Sequence, residues 1–263
     1  MLAAMLIGCA TPPGNPAARA AFEQANDPLE PVNRKILDFN MFLDRILLKP
    51  VTKVYIAILP ESARDAVERA LDNMKQPVVV INNALQGRPS HAGIAAGRFL
   101  VNSTVGLAGF VDVAKSWGLD KQSGDFGQTL YVWGFPSGPY LVLPVLGPSN
   151  PRDGLGMAAD SYIDPFSYLA SAEGLDDIQI TRYVLDGIGQ RARVIDVLDD
   201  LQKHSLDFYA QLRSLSQQHR AAELRHGAAP PPAPNFYDVP DTSKPTPKGS
   251  PPTAPPRGSS PRT

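Results

Sequence analysis

The sequence predicts an all-α body interrupted by one non-helical, apolar hairpin. Three observations carry that expectation. Apolar residues recur at intervals of three and four in segment after segment; no stretch alternates with period two for long enough to argue a sizeable sheet; and the long interruption is an uncharged run rich in proline and glycine. Both ends of the 263 residues differ in composition from the middle, so the folding part is smaller than the chain.

The N-terminal segment reads Leu6-Ile7-Gly8-Cys9, an apolar stretch closing in a small residue and the only cysteine. This looks like a bacterial lipobox, with residues 1–8 the remnant of a signal peptide and Cys9 the lipid anchor. A signal peptide also needs a basic n-region. Nothing basic precedes Cys9, so the true start is expected further upstream. Residues 9–26 are rich in Ala, Pro and small polar groups, as expected of a flexible tether. Residues 228–263 are dense in Pro with Ser, Thr and Gly, and lack the apolar content to offset the entropy of ordering; they read as a disordered extension.

Between these ends, residues 27–227 carry the helical pattern. Asp27 is placed as an N-cap, Pro28 at the first helical position and Glu30 at the third, where a carboxylate complements exposed amides. Leu29, Val32, Ile36, Phe39, Leu43 and Ile46 then mark one helical face, while Leu37, Met41, Phe42, Leu47 and Leu48 fall outside it. Such a helix needs a second apolar neighbour, protein or lipid. Pro60 opens a more ordinary helix, with Ala63, Val67, Ala70, Leu71 and Met74 inward and Glu61, Arg64, Asp65, Glu68 and Arg69 outward. A further helix is expected from Pro89 towards Thr104, with Gly93 and Gly97 at a spacing that permits close helix approach, and another over Leu107 to Trp117. After Gly174 the periodicity through Ile178, Leu185, Ile188, Leu198 and Leu201, then Tyr209 and Leu212, predicts one long helix or two in series.

From Phe126 to Pro151 there is no charged side chain. Pro136, Pro139, Pro144 and Pro148 prevent a continuous helix, because each removes an amide donor and clashes with the preceding turn. Non-helical backbone persists at membrane depth only when buried in protein or lining a cavity. The segment is therefore either an apolar core loop or a re-entrant hairpin bordering a pore or groove. Its aromatic content, Phe126, Tyr131, Trp133, Phe135 and Tyr140, favours a membrane interface.

Composition excludes several functions. A net charge of −1 gives no electrostatic footprint for nucleic acid. With Cys9 acylated no thiol remains for disulfides, catalysis or metal, and the four histidines include no close pair flanking an acidic ligand. No metal, cofactor or catalytic residue is expected. The nearest approach to a serine nucleophile, Pro136-Ser137-Gly138, lacks the G-x-S-x-G turn and follows no strand. The acidic pairs Asp176-Asp177 and Asp199-Asp200 read as solvated faces.

Four segments together resemble a known family: NDPLEPVNRKILDFN at 26–40, RFLVNSTVGLAGFVDVA at 98–114, DFGQTLYVWG at 125–134 and GPYLVLPVLGPSNPRDGLG at 138–156. They are similar to the MlaA (VacJ) outer-membrane phospholipid-binding lipoproteins, over roughly residues 26–220 and in order. The resemblance implies helices arranged as a ring in the plane of the periplasm-facing leaflet of the outer membrane, in association with trimeric porins. It implies an amphipathic channel that returns phospholipids mislocalised in the outer leaflet to the periplasmic carrier MlaC, maintaining lipid asymmetry without covalent chemistry. Ala10 after the modified cysteine is compatible with sorting to the outer membrane. The proline-rich tail lies outside the resemblance and supports an alternative, a structural lipoprotein that organises porins.

On this basis Phe126, Leu130, Tyr131, Trp133, Phe135, Tyr140, Leu141 and Leu143 are candidates for the lipid path. Asn102, Thr104, Gln128 and Arg152, with Ser103, Asp112 and Thr129, are candidates for the headgroup side, although capping or solvation explains each of them singly. Cys9 from native membranes is expected to carry three acyl chains, which at about 0.8 kcal/mol per buried methylene anchor the chain durably. Mass spectrometry of the N-terminal peptide checks this, and an unmodified thiol would refute it.

Overall fold

The computed structural model describes residues 26–174 and 176–225. Cys9, the tether up to residue 25 and the tail at 228–263 lie outside the described residues. Within them the body is helical: α1 (Glu30–Leu43), a π-helical turn (Asp44–Leu48), α2 (Lys49–Ile58), α3 (Glu61–Leu85), α4 (Pro89–Thr104), α5 (Val113–Ser116), α6 (Phe126–Val132), α7 (Pro151–Ile163), α8 (Pro165–Ala172), α9 (Asp176–Arg193), α10 (Ile195–His204) and α11 (Phe208–Leu224). A two-stranded antiparallel hairpin, β1 (Leu141–Leu143) and β2 (Gly147–Ser149), interrupts the helices, with Val142 opposite Pro148. The uncharged segment thus splits into helix α6 and this hairpin. None of the described helices is long and apolar enough to cross a membrane.

Asp27 does not cap the first helix as expected. It is buried, and its carboxylate accepts hydrogen bonds from Asn33 Nδ2 at 2.8 Å, from Arg213 Nη1 at 2.7 Å and from the Tyr209 hydroxyl. Leu29 occupies the cap position and makes no side-chain cap. The inward stripe of α1 also differs from expectation: it is Asn33, Leu37, Asn40 and, at the π turn, Asp44, while Phe39, Phe42, Ile46 and Leu47 face outward. In an unbroken helix the next inward position, seven residues after Asp44, is Val51. The π turn inserts one residue and moves the inward position to Thr52, which is fully buried, leaving Val51, Val54 and Ile58 outside.

The same inversion recurs. Helix α3 runs through Pro77 and buries Asn73, Gln76, Asn82 and Asn83 beside Leu71 and Val79. Helix α9 turns Arg182 and Arg191 inward and exposes Ile178, Ile180 and Val184. Among the described residues the largest fully buried side chains are Gln128, Asn33, Asn82, Asn83, Thr52, Thr129 and Asp27, all polar.

The apolar core is correspondingly small. Leu37, Tyr140, Val142 and Tyr209 form it, flanked by Ile36, Met41, Phe208 and Leu212. Tyr140 and Tyr209 meet edge to face, 6.2 Å between centroids. The hairpin joins this core through α1. Asn33 donates to the Tyr140 carbonyl at 3.0 Å and accepts from the Val142 amide at 3.0 Å; Asn40 donates to the Leu143 carbonyl at 2.9 Å and accepts from the Val145 amide at 2.8 Å.

Three further expectations are corrected. Leu107 to Trp117 is no helix: Leu107, Ala108 and Gly109 all have positive φ, and only Val113–Ser116 is helical. The chain folds back there because Asn102 accepts the Ala114 amide at 2.9 Å and Asp112 caps α5. After Gly174 there are three helices, with breaks at Val194 and at Ser205–Asp207. Asp199 is no solvated group, since it pairs with Lys49 at 2.7 Å and Arg191 at 3.3 Å. The Gly93 position is open, and Gly97 faces only Leu119.

Replacing Asn33 by Ala strips partners from the Val142 amide, the Tyr140 carbonyl and Asp27 at once. At about 1–3 kcal/mol for each buried group left unsatisfied, a loss of at least about 2 kcal/mol is expected. Urea unfolding in detergent, against the exposed control Lys35→Ala, measures it.

Candidate functional site

The N-termini of α6 and α7 are built from cap residues. Asp125 Oδ1 accepts the Gln128 amide at 2.8 Å, and Asn150 Oδ1 accepts the Asp153 amide at 2.9 Å, with Pro151 at the first position of α7. The two helices touch backbone to backbone: a Cβ on Gly156 would lie 2.4 Å from the Gly127 nitrogen, which no side chain tolerates. That contact sets Asp125 beside Asp153, both at positive helix ends. Arg220 on α11 then clamps both, at 2.8 and 2.9 Å to Asp125 and at 2.9 and 3.0 Å to Asp153.

These charged groups floor a cleft of about 890 Å³ between the hairpin base, α7 and α11. Its lining includes the apolar and aromatic residues Tyr131, Phe135, Pro136, Met157 and Leu224 and the charged residues Asp125, Arg152, Asp153, Asp160, Arg220 and Glu223. Arg152 is buried; its Nε donates to Asp153 at 3.0 Å and its guanidinium lies over the Tyr131 ring at 5.3 Å. Burial opposes the Asp153 charge, but Arg220 and Arg152 hold the carboxyl below the ordinary range. Asp160 behaves oppositely. Burial pushes it up to about 6, with the Asp125 charge adding, against hydrogen bonds from the Phe126 amide and Asn82.

The expected site residues divide between locations. Tyr131, Phe135, Tyr140 and Arg152 meet at the cleft, Tyr140 from the core. Phe126 and Trp133 pair edge to face at 6.0 Å along α6, and Trp133 Nε1 donates to the Leu85 carbonyl at 3.2 Å. Leu130, Leu141 and Leu143 are half-buried. Gln128 is buried in α6, and Thr129 donates to Asn82 at 2.8 Å. Asn102 lies apart, on α4, where it donates to Asp112 at 3.0 Å; the Thr104 hydroxyl returns to its own helix at Leu100.

Asp125, Asp153, Asp160 and Arg220 were missed in the sequence. Asp125 and Asp153 carry a local signal: D-F-G-Q has the spacing of a capping box, and N-P-R-D places a cap, a helix-opening proline and an acid in order. Arg220 has no such signal, because its partners lie 67 and 95 residues away. Chemically the cleft, lined by both charged and aromatic side chains, suits an amphipathic ligand. Ser137 and Ser216 line it but donate to the backbone carbonyls of Gly138 and Arg213. No group of His, Cys, Asp and Glu among the described residues is arranged to hold a metal ion.

The model of the MlaA lipoprotein family matches residues 25–223. The chain belongs to the MlaA family. The Escherichia coli intermembrane phospholipid transport system lipoprotein MlaA is 32% identical over 213 residues, covering 80% of each chain. The Haemophilus influenzae protein of the same name is 29% identical over 227 residues, covering 84% of this chain and 87% of its own. An uncharacterized protein of Rickettsia bellii is 33% identical over 201 residues, 76% and 77% of the two chains. A solved chain from work on the structural basis for maintenance of bacterial outer membrane lipid asymmetry matches with a TM-score of 0.62 and 32% identity, over 76% of this chain and 97% of its own. The MlaA fold is thus shared across most of the body.

Asp160 makes stability depend on pH in a recognisable sense. Its folded pKa is raised above the unfolded value, so the folded state binds a proton that the unfolded state does not, and stability falls as pH rises from about 4 through about 6. From pH 7 to pH 5 the protein is expected to gain stability relative to Asp160→Asn. Urea midpoints of both proteins at the two pH values measure the difference.

Proposed function

We propose that the chain is a non-enzymatic phospholipid transport component. It removes phospholipids mislocalised in the outer leaflet of the outer membrane through an amphipathic channel and passes them to the periplasmic carrier MlaC, maintaining lipid asymmetry. The observation that carries this reading is the inverted polarity of the body. A helix packed in water buries its apolar stripe and shows its polar face; here α1, the π turn and α2 bury Asn33, Asn40, Asp44 and Thr52 and present Phe39, Phe42, Ile46, Leu47, Val54 and Ile58 outward. That arrangement suits a protein surrounded by acyl chains with a polar path inside.

Membership of the MlaA family supports the same reading, since its named members belong to an intermembrane phospholipid transport system. In this account Cys9 anchors the chain at the periplasm-facing leaflet, the helices form a ring in its plane, and trimeric porins are neighbours. The cleft beside the hairpin is part of the lipid path: Tyr131, Phe135 and Tyr140 face acyl chains, with Phe126, Leu130, Trp133, Leu141 and Leu143 continuing that surface. Arg152 faces a headgroup there, and Asn102, Thr104 and Gln128 serve the headgroup side elsewhere. A scaffold that only organises porins has no use for such a cleft.

The hairpin tip gives the cleanest test. Leu141 and Leu143 flank the buried Val142, so a charge there disturbs packing together with transport. Val145 and Leu146, 74% and 66% exposed, do not have that drawback. A charge at membrane depth costs about 2.5–3.5 kcal/mol on insertion scales. For Val145→Asp with Leu146→Asp, normal levels of folded protein in the outer membrane and raised phospholipid in its outer leaflet are expected. Normal protein with normal asymmetry would take the hairpin out of the mechanism.

A further inference from the structure

The cleft beside the hairpin carries a surplus of negative charge. Four carboxylates line it, Asp125, Asp153, Asp160 and Glu223, against two guanidiniums, Arg152 and Arg220. His219 lines it too, 3.3 Å from Glu223, and offsets one of the surplus charges only when protonated. A cleft built to hold an anion would show the opposite balance.

The cations are also spent on the protein itself. Arg220 Nε donates to Asp153 at 2.9 Å, Nη1 to Asp125 at 2.9 Å and Glu223 at 3.0 Å, and Nη2 to Asp125 at 2.8 Å and Asp153 at 3.0 Å. These five bonds use all five N–H groups of a guanidinium. Arg152 gives its Nε to the same Asp153 and sets its guanidinium over Tyr131, with only 4% of its side chain exposed. Asp160 has no Lys or Arg within ion-pair distance among the described residues; it accepts from the Phe126 amide at 3.0 Å and from Asn82 at 2.7 Å. The carboxylates, by contrast, are within reach of a ligand: the side chains of Asp125 and Glu223 are 35% and 38% exposed.

We propose that the cleft selects phospholipids by net charge, admitting zwitterionic headgroups and rejecting anionic ones. A cleft lined by one sign of charge between low-dielectric walls concentrates its field on whatever enters. An anionic headgroup adds like charge to a surplus that no free cation relieves, and such repulsion is a common way for a site to refuse a competitor. A zwitterionic headgroup adds no net charge and brings its own cation to the exposed carboxylates of Asp125 and Glu223. Because the field reads charge and not one particular hydrogen bond, ethanolamine and choline lipids are accepted alike. The inference rests on the reading of the cleft as part of a lipid path and adds to it the class of headgroup that passes.

The test uses the full-length chain in a detergent free of phospholipid, at pH 8, well above the value of about 6 at which Asp160 ionises. It is offered equal amounts of phosphatidylethanolamine, phosphatidylcholine and phosphatidylglycerol, each with a diazirine at the end of one acyl chain, and the crosslinked peptides are mapped by mass spectrometry. Crosslinks on peptides holding Phe135, Met157 or Leu224 are expected, with each zwitterionic lipid captured about tenfold over phosphatidylglycerol. In the double variant Asp160→Asn with Glu223→Gln two carboxylates face two guanidiniums, so the ratio should fall towards one because capture of phosphatidylglycerol rises. A folded double variant that keeps the wild-type ratio overturns the assignment to these carboxylates. Equal capture of all three lipids in the wild-type cleft overturns selection by charge and spares the transport reading, whether or not the variant folds. Crosslinks confined to other parts of the body overturn the location. No capture of any lipid removes the reading and the inference together.

Discussion

A strand pair three residues long does not hold itself in water. The β1–β2 pair is held because Asn33 and Asn40 offer β1 the edge of a third strand. Each side-chain amide carries N–H donors and a carbonyl acceptor in one plane, as a peptide group does, and each here satisfies one carbonyl and one amide of the hairpin segment. The two asparagines stand seven residues apart on α1, two helical turns, and so serve two successive sites along the same extended chain. Once the hairpin is fixed there, Tyr140 and Val142 reach the core, Tyr209 packs on Tyr140, and α11 is drawn to the same place. The cleft owes its position to this docking, because the hairpin base forms one side of it and α11 another.

The inverted polarity has an energetic corollary. Polar side chains turned inward must find partners, since an unpaired buried donor or acceptor costs more than a paired one contributes. The interior meets part of this demand by cross-connection, Asn82 with Asp160 and Thr129, Asn83 with the Ser123 carbonyl, Gln86 with Thr129, while the side-chain oxygens of Asn83, Gln86 and Gln128 stay without a protein partner. The π turn belongs to the same scheme. By inserting one residue it keeps Asn33, Asn40, Asp44 and Thr52, with Leu37 among them, on the inward side of the long helical run, and Phe39, Phe42, Ile46, Val54 and Ile58 on the outer side. A plain α-helix with this sequence would turn Val51 into the polar interior and Thr52 away from it.

Much of the helical framework is legible in the sequence, because its signals are local. Pro89 opens α4 where a helix-starting proline is expected, and Gly134, at positive φ, ends α6 before the prolines that follow it. The orientation of the faces is not legible in the same way. Periodicity identifies a stripe such as Val32, Ile36, Phe39 and Leu43 but is silent on whether water, lipid or protein lies against it, and the greasiness of α1 signals only that a second apolar neighbour exists. The turn over residues 105–111 escapes detection for another reason. Leu107 and Ala108 adopt positive φ without any residue type that announces it, and Gly106 is squeezed so that a Cβ would lie 2.3 Å from the Val111 carbonyl. Asp27 has every mark of a helix cap, and only the arrival of Tyr209 and Arg213, more than 180 residues later, makes it a buried hub instead.

That hub is one of four built alike. Asp27 pairs with Arg213, Asp44 with Arg191, Asp164 with Arg182, and Asp125 with Asp153 receives Arg220. In every case the carboxylate comes from an earlier element and the arginine from α9 or α11. Buried pairs of this kind add little net stability over apolar packing, but losing one partner is severe because a charge is then left buried and alone. In a lipid surround the hydrophobic effect does not press helices together, since acyl chains solvate an apolar face as well as another helix does. Directional contacts must then decide which helices meet. The division of acids and arginines between the early elements and α9 and α11 supplies such contacts: with the apolar faces given over to the surroundings, the arginines of α9 and α11 are what the earlier acids require to be buried at all.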